Sequence, residues 1–280
     1  MTLRFAYNTN GLQSHRLFDA LDFLGEVGYH GVALTLDPCH LDPLEAGPSV
    51  IAGVGRRLRQ ARLACVIETG GRFLLDPRRK HSPTLADRDP LARMRRIDLL
   101  RRAVEIGAEL GAEVVNLAAG PRDPEADPED ARRFLIEGLR EVCRRAEELQ
   151  IPVSLEPEPG HWIETLAGYH ELQEELPELR LTLDVAHVSV AAEEGTPAEA
   201  LLAEQSFLTL VHLEDAPSRI HEHLPLGEGD LDLQATLAAL VQLDFQGLVA
   251  VELSRHSHAA HQLVPETLSR LRAGLAALER

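Results

Sequence analysis

Glu156, Asp184, His212 and Glu252 each sit at or beside the end of a short apolar run: Ser154-Leu155-Glu156, Leu183-Asp184, Val211-His212-Leu213 and Val251-Glu252-Leu253. Alone, a carboxylate in such a place most often caps a helix or pairs with a base. Four successive runs ending this way point to one site. Several potential anions and an imidazole at a partly dehydrated point are costly unless a cation compensates. The expectation is one divalent ion held by Glu156, Asp184, His212 and Glu252. Oxygen-rich donors with a single imidazole suit Mn2+, Mg2+ or Co2+, and Zn2+ is also compatible.

Other polar residues flank these positions. His187 follows Asp184 by three residues and reads as a substrate contact or a second metal ligand. His221 and His223, two apart in an extended loop, can face the same way. Gly227 and Gly229 then allow a tight turn before the next helix. Glu158 and Trp162 follow Glu156, and the indole, next to His161, is suited to cover the apolar face of a sugar ring. Arg255, with His256, His258 and His261 beyond it, follows Glu252. Asn8 and Asn10 sit early in the chain, where amides can meet substrate hydroxyls or simply turn the chain. The substrate-binding candidates are therefore His187, His221, His223, Glu158, Trp162 and Arg255.

The elements that must position these residues are legible as an alternation. Strand-like runs fall at 3–7, 31–36, 63–68, 113–118, 151–156, 180–184, 208–213 and 247–252. Helical patterns follow them, clearest at about 15–28, 50–62, 88–110, 128–150 and 264–279. In the third of these, Leu91, Met94, Ile97, Leu100, Val104 and Ile106 recur at helical spacing. Gly28, Gly111 and Gly247 read as helix stops. Strand–helix alternation implies a parallel sheet, and eight units imply closure. The predicted fold is an α/β (β/α)8 TIM barrel spanning 1–280 as a single domain. The length of 280 residues suits it. Long loops after strands, at about 69–87 and 214–229, belong on the C-terminal face where barrel chemistry occurs.

The first of these loops carries Arg72, Arg78, Arg79 and Lys80 in a chain of net charge −17. It is expected to act as a mobile lid whose cations favour a phosphorylated or carboxylated substrate, unless Asp76, Asp87 and Asp89 neutralise them. The overall charge disfavours nucleic acid. No apolar run reaches the roughly 18 residues of a membrane span. Met1-Thr2-Leu3-Arg4-Phe5 lacks the build of a signal peptide. Three scattered cysteines, Cys39, Cys65 and Cys143, form no CxxC pair and fit a reducing cytoplasm. The expected partner is a small polyhydroxy molecule, and a homo-oligomer is compatible with the sequence.

The succession Glu156, Leu183-Asp184-Val185-Ala186-His187, His212, Leu226-Gly227-Glu228-Gly229-Asp230 and Glu252 resembles the xylose-isomerase-like barrel superfamily. That group contains sugar and sugar-phosphate isomerases and epimerases, and it is related to endonuclease IV. The likeness spans nearly the whole chain in organisation, with its specific motifs in 151–258. It implies that Glu156, Asp184, His212 and Glu252 hold one metal, that His187 contacts substrate, and that Glu156 and Glu252 also move protons. His187 and His223 match ligands of an additional zinc in endonuclease IV, and His221 falls where that pattern has an acid. The chain departs from that enzyme at Ile67-Glu68-Thr69 and Val115-Asn116-Leu117, where no histidine stands.

The implied reaction is isomerisation or epimerisation of a small sugar, sugar phosphate or related hydroxy-ketone, by proton transfer through a metal-stabilised enediolate. A cyclitol or keto-acid dehydratase would start with the same step. A phosphodiester hydrolase like endonuclease IV and a non-catalytic metabolite-binding barrel are the readings from other classes.

Overall fold

A computed structural model describes residues 3–191 and 195–279. The strands are β1 (Arg4–Asn8), β2 (Gly31–Thr35), β3 (Ala64–Glu68), β4 (Val115–Ala118), β5 (Val153–Glu156), β6 (Arg180–Asp184), β7 (Leu208–Leu213) and β8 (Leu248–Val251). They pair in parallel, in sequence order, and β8 closes onto β1 with Phe5 opposite Val249 and Ala6 opposite Ala250. The helices are α1 (Leu17–Val27), α2 (Pro48–Ala61), α3 (Pro90–Leu110), α4 (Pro128–Glu148), α5 (Leu166–Glu175), α6 (Val185–Val190), α7 (Pro197–Ala203), α8 (Leu233–Gln242) and α9 (Ala260–Leu278). This is the (β/α)8 barrel that the alternation predicts, with strand ends within two residues of the expected positions. No helix among the described residues is long and apolar enough to cross a membrane.

Alternation along each strand separates two apolar clusters. Phe5, Val32, Ile67, Leu155, Leu183, Val211 and Val249 face the helices and join the large outer core. Ala6, Ala33, Val66, Val114, Leu210, Leu248 and Ala250 fill the barrel axis as a separate plug. Two residues further along several of these inward columns the chemistry turns polar, giving Asn8, Thr35, Glu68, Asn116, His212 and Glu252. The apolar plug is therefore the floor on which the site stands.

The third helix corrects part of the expected apolar stripe. Leu99, Leu100, Ala103, Val104 and Ile106 are buried, whereas Leu91 is 66% and Met94 50% exposed. A helix of 21 residues is roughly 31 Å long, while five strand residues span only about 17 Å. The first turns of α3 thus overhang the sheet at the C-terminal face. Gly28 and Gly111 do end helices in left-handed conformation, at φ 97° and 68°. Gly247 does not: α8 ends at Gln242, and Asp244 takes the positive φ of that connection. A side chain at Gly247 would instead lie 2.4 Å from the Thr209 carbonyl oxygen, so close strand approach explains that glycine.

Candidate metal and substrate site

The ends of β5, β6, β7 and β8 bring Glu156, Asp184, His212 and Glu252 together, with one donor atom of each within 4.8 Å of all the others. Register supplies the placement. Asp184 on β6 pairs with His212 on β7, so both project inward from the same level of the barrel. Asp184 also performs the ordinary structural task of such a residue. Its Oδ1 accepts the backbone N–H groups of Ala186 and His187 and caps α6. Its Oδ2 is buried with no hydrogen-bond partner. Such an orphaned carboxylate oxygen, amid oxygen donors and an imidazole, fits a divalent cation.

His212 lies at the centre. Its Nδ1 is 3.1 Å from Glu156 Oε1 and 3.0 Å from Glu252 Oε2, and its Nε2 is 2.9 Å from Glu68 Oε1. Although burial opposes charging, Glu156, Glu68 and Glu252 raise the imidazole well above its ordinary range. Burial likewise acts to raise Glu156 and Glu252, but His212 outweighs it and both are held low. Asp184 is pushed up to about 6, chiefly by burial. Two amides fix the outer oxygens: Asn116 Nδ2 donates to Glu156 Oε2 and Glu68 Oε2, both at 2.8 Å, and Asn10 Nδ2 donates to Glu252 Oε1 at 2.6 Å.

A cleft opens above this set. Its wall includes Asn8, Asn10, Glu68, Asn116, Glu158, His187 and His223, as well as Glu156, His212 and Glu252. Burial, outweighing attraction by His187, pushes Glu158 up to about 7. His187 Nδ1 donates to the Pro157 carbonyl at 3.0 Å, which fixes the ring and turns Nε2 to within 3.1 Å of His221 Nε2. His223 Nδ1 contacts the Glu214 carboxyl. Burial drives Glu214 well up and His223 down to about 4. Asp184, His187 and Glu214 also offer mutually close donors. Asp215, bonded to the backbone N–H groups of Gly227 and Leu231, shapes the turn that presents this loop.

The family model for the xylose isomerase-like TIM barrel matches residues 21–274. This chain belongs to that family. The L-ribulose-5-phosphate 3-epimerase UlaE of Escherichia coli (strain ATCC 8739) is 26% identical over 206 residues, covering 71% of this chain and 70% of that protein. Among solved structures, the 3-keto-D-glucoside 4-epimerase YcjR of E. coli superposes with a TM-score of 0.79 at 19% identity, covering 97% of this chain and all of that one. An L-ribulose 3-epimerase gives 0.79 at 18% identity, with coverages of 100% and 96%. The D-allulose 3-epimerase of Methylomonas sp. in complex with D-allulose gives 0.76 at 19%, with coverages of 97% and 96%. At these identities the structural likeness concerns the barrel itself.

Within this xylose isomerase-like barrel, other sequence candidates fall away from the cleft. Trp162 lies on a separate groove with Arg122, Pro124 and Leu172, and its backbone N–H donates to the Gly120 carbonyl. Arg255 is exposed, 3.9 Å from Glu222, and forms no part of the wall. His221 meets His187 at 3.1 Å and does not itself line the cleft. Glu68, Asn116 and Glu214 are site residues that sequence reasoning misses. In the sequence, Glu68 and Asn116 register only as places without a histidine, although strand-end position, the signal that marks Glu156, applies equally to them. Glu214 lies two residues after His212 and hence on the same side of the chain.

Proposed function

We propose that this chain is a divalent-metal-dependent epimerase or isomerase of a small polyhydroxy ketone, moving a proton at the carbon beside a carbonyl. The observation that carries the reading is that Glu156 and Glu252, from different strands, both approach His212 Nδ1, at 3.1 and 3.0 Å. Each also has an oxygen anchored by an asparagine amide. The names of the sugar epimerases similar to this chain favour epimerisation.

Glu156, Asp184, His212 and Glu252 would hold the cation, which supplies Lewis acidity that polarises a carbonyl and makes the adjacent C–H more acidic. Mn2+, Mg2+ or Co2+ suits this donor set. One of the two glutamates removes the proton and the other returns one, since each ionises readily and is held at a fixed angle by its amide. Which face receives the returning proton decides the stereochemical outcome. Asn8, Asn10 and His187 offer groups to orient substrate hydroxyls. Glu158, poised near neutrality, can hold or release a proton at the cleft wall.

The test is solvent-deuterium exchange into a panel of ketoses. Glu156→Gln and Glu252→Gln should each lower exchange by about 10²–10⁴ while the circular dichroism spectrum is kept. Near-normal exchange in both variants would refute the assignment.

A further inference from the structure

We propose that the wall of the cleft formed by the loop after β3 is an anion subsite, so that the substrate carries a phosphate or carboxylate at the end remote from the reacting carbons. This rests on the proton-transfer reading for the reacting end.

Four carboxylates, Glu68, Glu156, Glu158 and Glu252, line the cleft together with Arg72 and Lys80, the arginine and lysine of its wall. Among the described residues neither is ion-paired. Arg72 makes only a long bond, 3.4 Å, to the Ser254 carbonyl. The neighbouring bases of the same segment are spent differently. Arg79 pairs with Asp76 at 2.8 Å, Arg88 pairs with Asp123 and Glu125, and Arg78 is exposed outside the cleft. Arg72, half-buried, and Lys80, exposed, thus both reach the cleft without a carboxylate partner and are free to receive a ligand anion.

The wall behind them is fixed. Arg96 on α3, 8% exposed, donates to the Pro83 and His81 carbonyls, each at 2.7 Å. It has no carboxylate partner among the described residues. Arg95 holds the Leu75 carbonyl at 2.8 Å. These bonds tie the segment to α3 at Leu75, His81 and Pro83. Arg96 borders a small side pocket with Thr84 and His161, which shares Thr69, Gly70 and His81 with the main cleft. Burial, with Lys80 beside it, pushes His81 down to about 3.

An anionic group placed against Glu156, Glu158 and Glu252 would be repelled, and against Arg72 and Lys80 it would be attracted. Arginine adds a planar pair of donors that fits either oxyanion. A ketose phosphate or a keto sugar acid therefore enters with its carbonyl end toward the carboxylates.

Calorimetry on the metal-loaded protein with matched ligands tests this: ribulose against ribulose 5-phosphate, and fructose against fructose 6-phosphate and fructuronate. At least one anion should bind about 10-fold or more tighter than its neutral twin, and the better anion tells phosphate from carboxylate. Arg72→Ala with Lys80→Ala should erase that preference. Lys80→Arg should retain it, and so should Arg79→Ala. Neutral twins binding as tightly as the anions, or a preference untouched by the double variant, overturns the subsite. Deuterium exchange read in the same samples keeps the two conclusions apart: anion preference without exchange rejects the proton-transfer reading alone, and exchange confined to neutral ketoses rejects the subsite alone.

Discussion

His212 donates to Glu68 through Nε2 at 2.9 Å while its Nδ1 faces Glu156 and Glu252. The imidazole is thus oriented by a carboxylate behind it, on a strand nearly opposite in the barrel. A ring that presents one nitrogen to a cation is commonly fixed in this way through the other.

Glu68→Gln keeps the shape but removes the charge that orients the ring. Outer partners of this kind are typically worth 10–100-fold in metal affinity, and a loss of roughly that size is expected. Competition with a fluorescent chelator measures it. An affinity within a factor of two of wild type would mean that Glu68 is merely a buried acid satisfied by Asn116.

Metal content gives a direct count. One tightly held divalent ion per chain is expected by mass spectrometry of the native protein, with a chelator removing both the ion and deuterium exchange. Asp184→Ala should abolish stoichiometric binding, because the orphaned Oδ2 is lost. It also removes the α6 cap, whose typical cost is about 1 kcal/mol. Asp184→Asn separates the two effects, since its oxygen can still cap while its charge is gone. Full metal content in Asp184→Asn would place the ion elsewhere.

Much of this site is legible in the sequence because parallel strands buried on both faces leave few polar residues at their ends. Glu156, Asp184, His212 and Glu252 stand out against apolar runs for that reason. The role of Glu68 is hidden because it comes from its contact with His212, 144 positions away. Trp162 stands just after β5, a place in the sequence that suits a substrate contact, and the structure puts it in a groove apart from the cleft. The basic segment is legible as charge but not as geometry. Only the structure separates Arg72 and Lys80, in the wall, from Arg78 and Arg79 outside it.

The packing of α3 on the sheet offers a test of the frame. A Cβ on Gly107 would lie 2.8 Å from Val115 Cγ2 and 2.9 Å from Ile151 Cδ1. Gly107→Val should therefore destabilise the protein by about 1–3 kcal/mol through overpacking, seen as a lower urea midpoint. Because Val115 precedes Asn116, the variant should also weaken metal binding. A stability equal to wild type would show that the helix can shift away freely.

Acid stability should depend on His161, which is only 5% exposed and is driven by burial down to about 4. An unfolded histidine titrates near 6.5. Between that value and about 4 the unfolded chain binds the proton that the folded protein refuses, so stability falls as the pH drops through this window. Each tenfold difference in proton affinity between the folded and unfolded chain is worth about 1.4 kcal/mol, which puts the full contribution on the order of 3 kcal/mol. His161→Gln removes the titrating group while keeping a polar side chain. Urea midpoints at pH 7.5 and pH 4.5 should therefore lie closer together in this variant than in the wild type. An equal drop in both proteins would assign the acid sensitivity to His81, His221 and His223, which burial also keeps neutral.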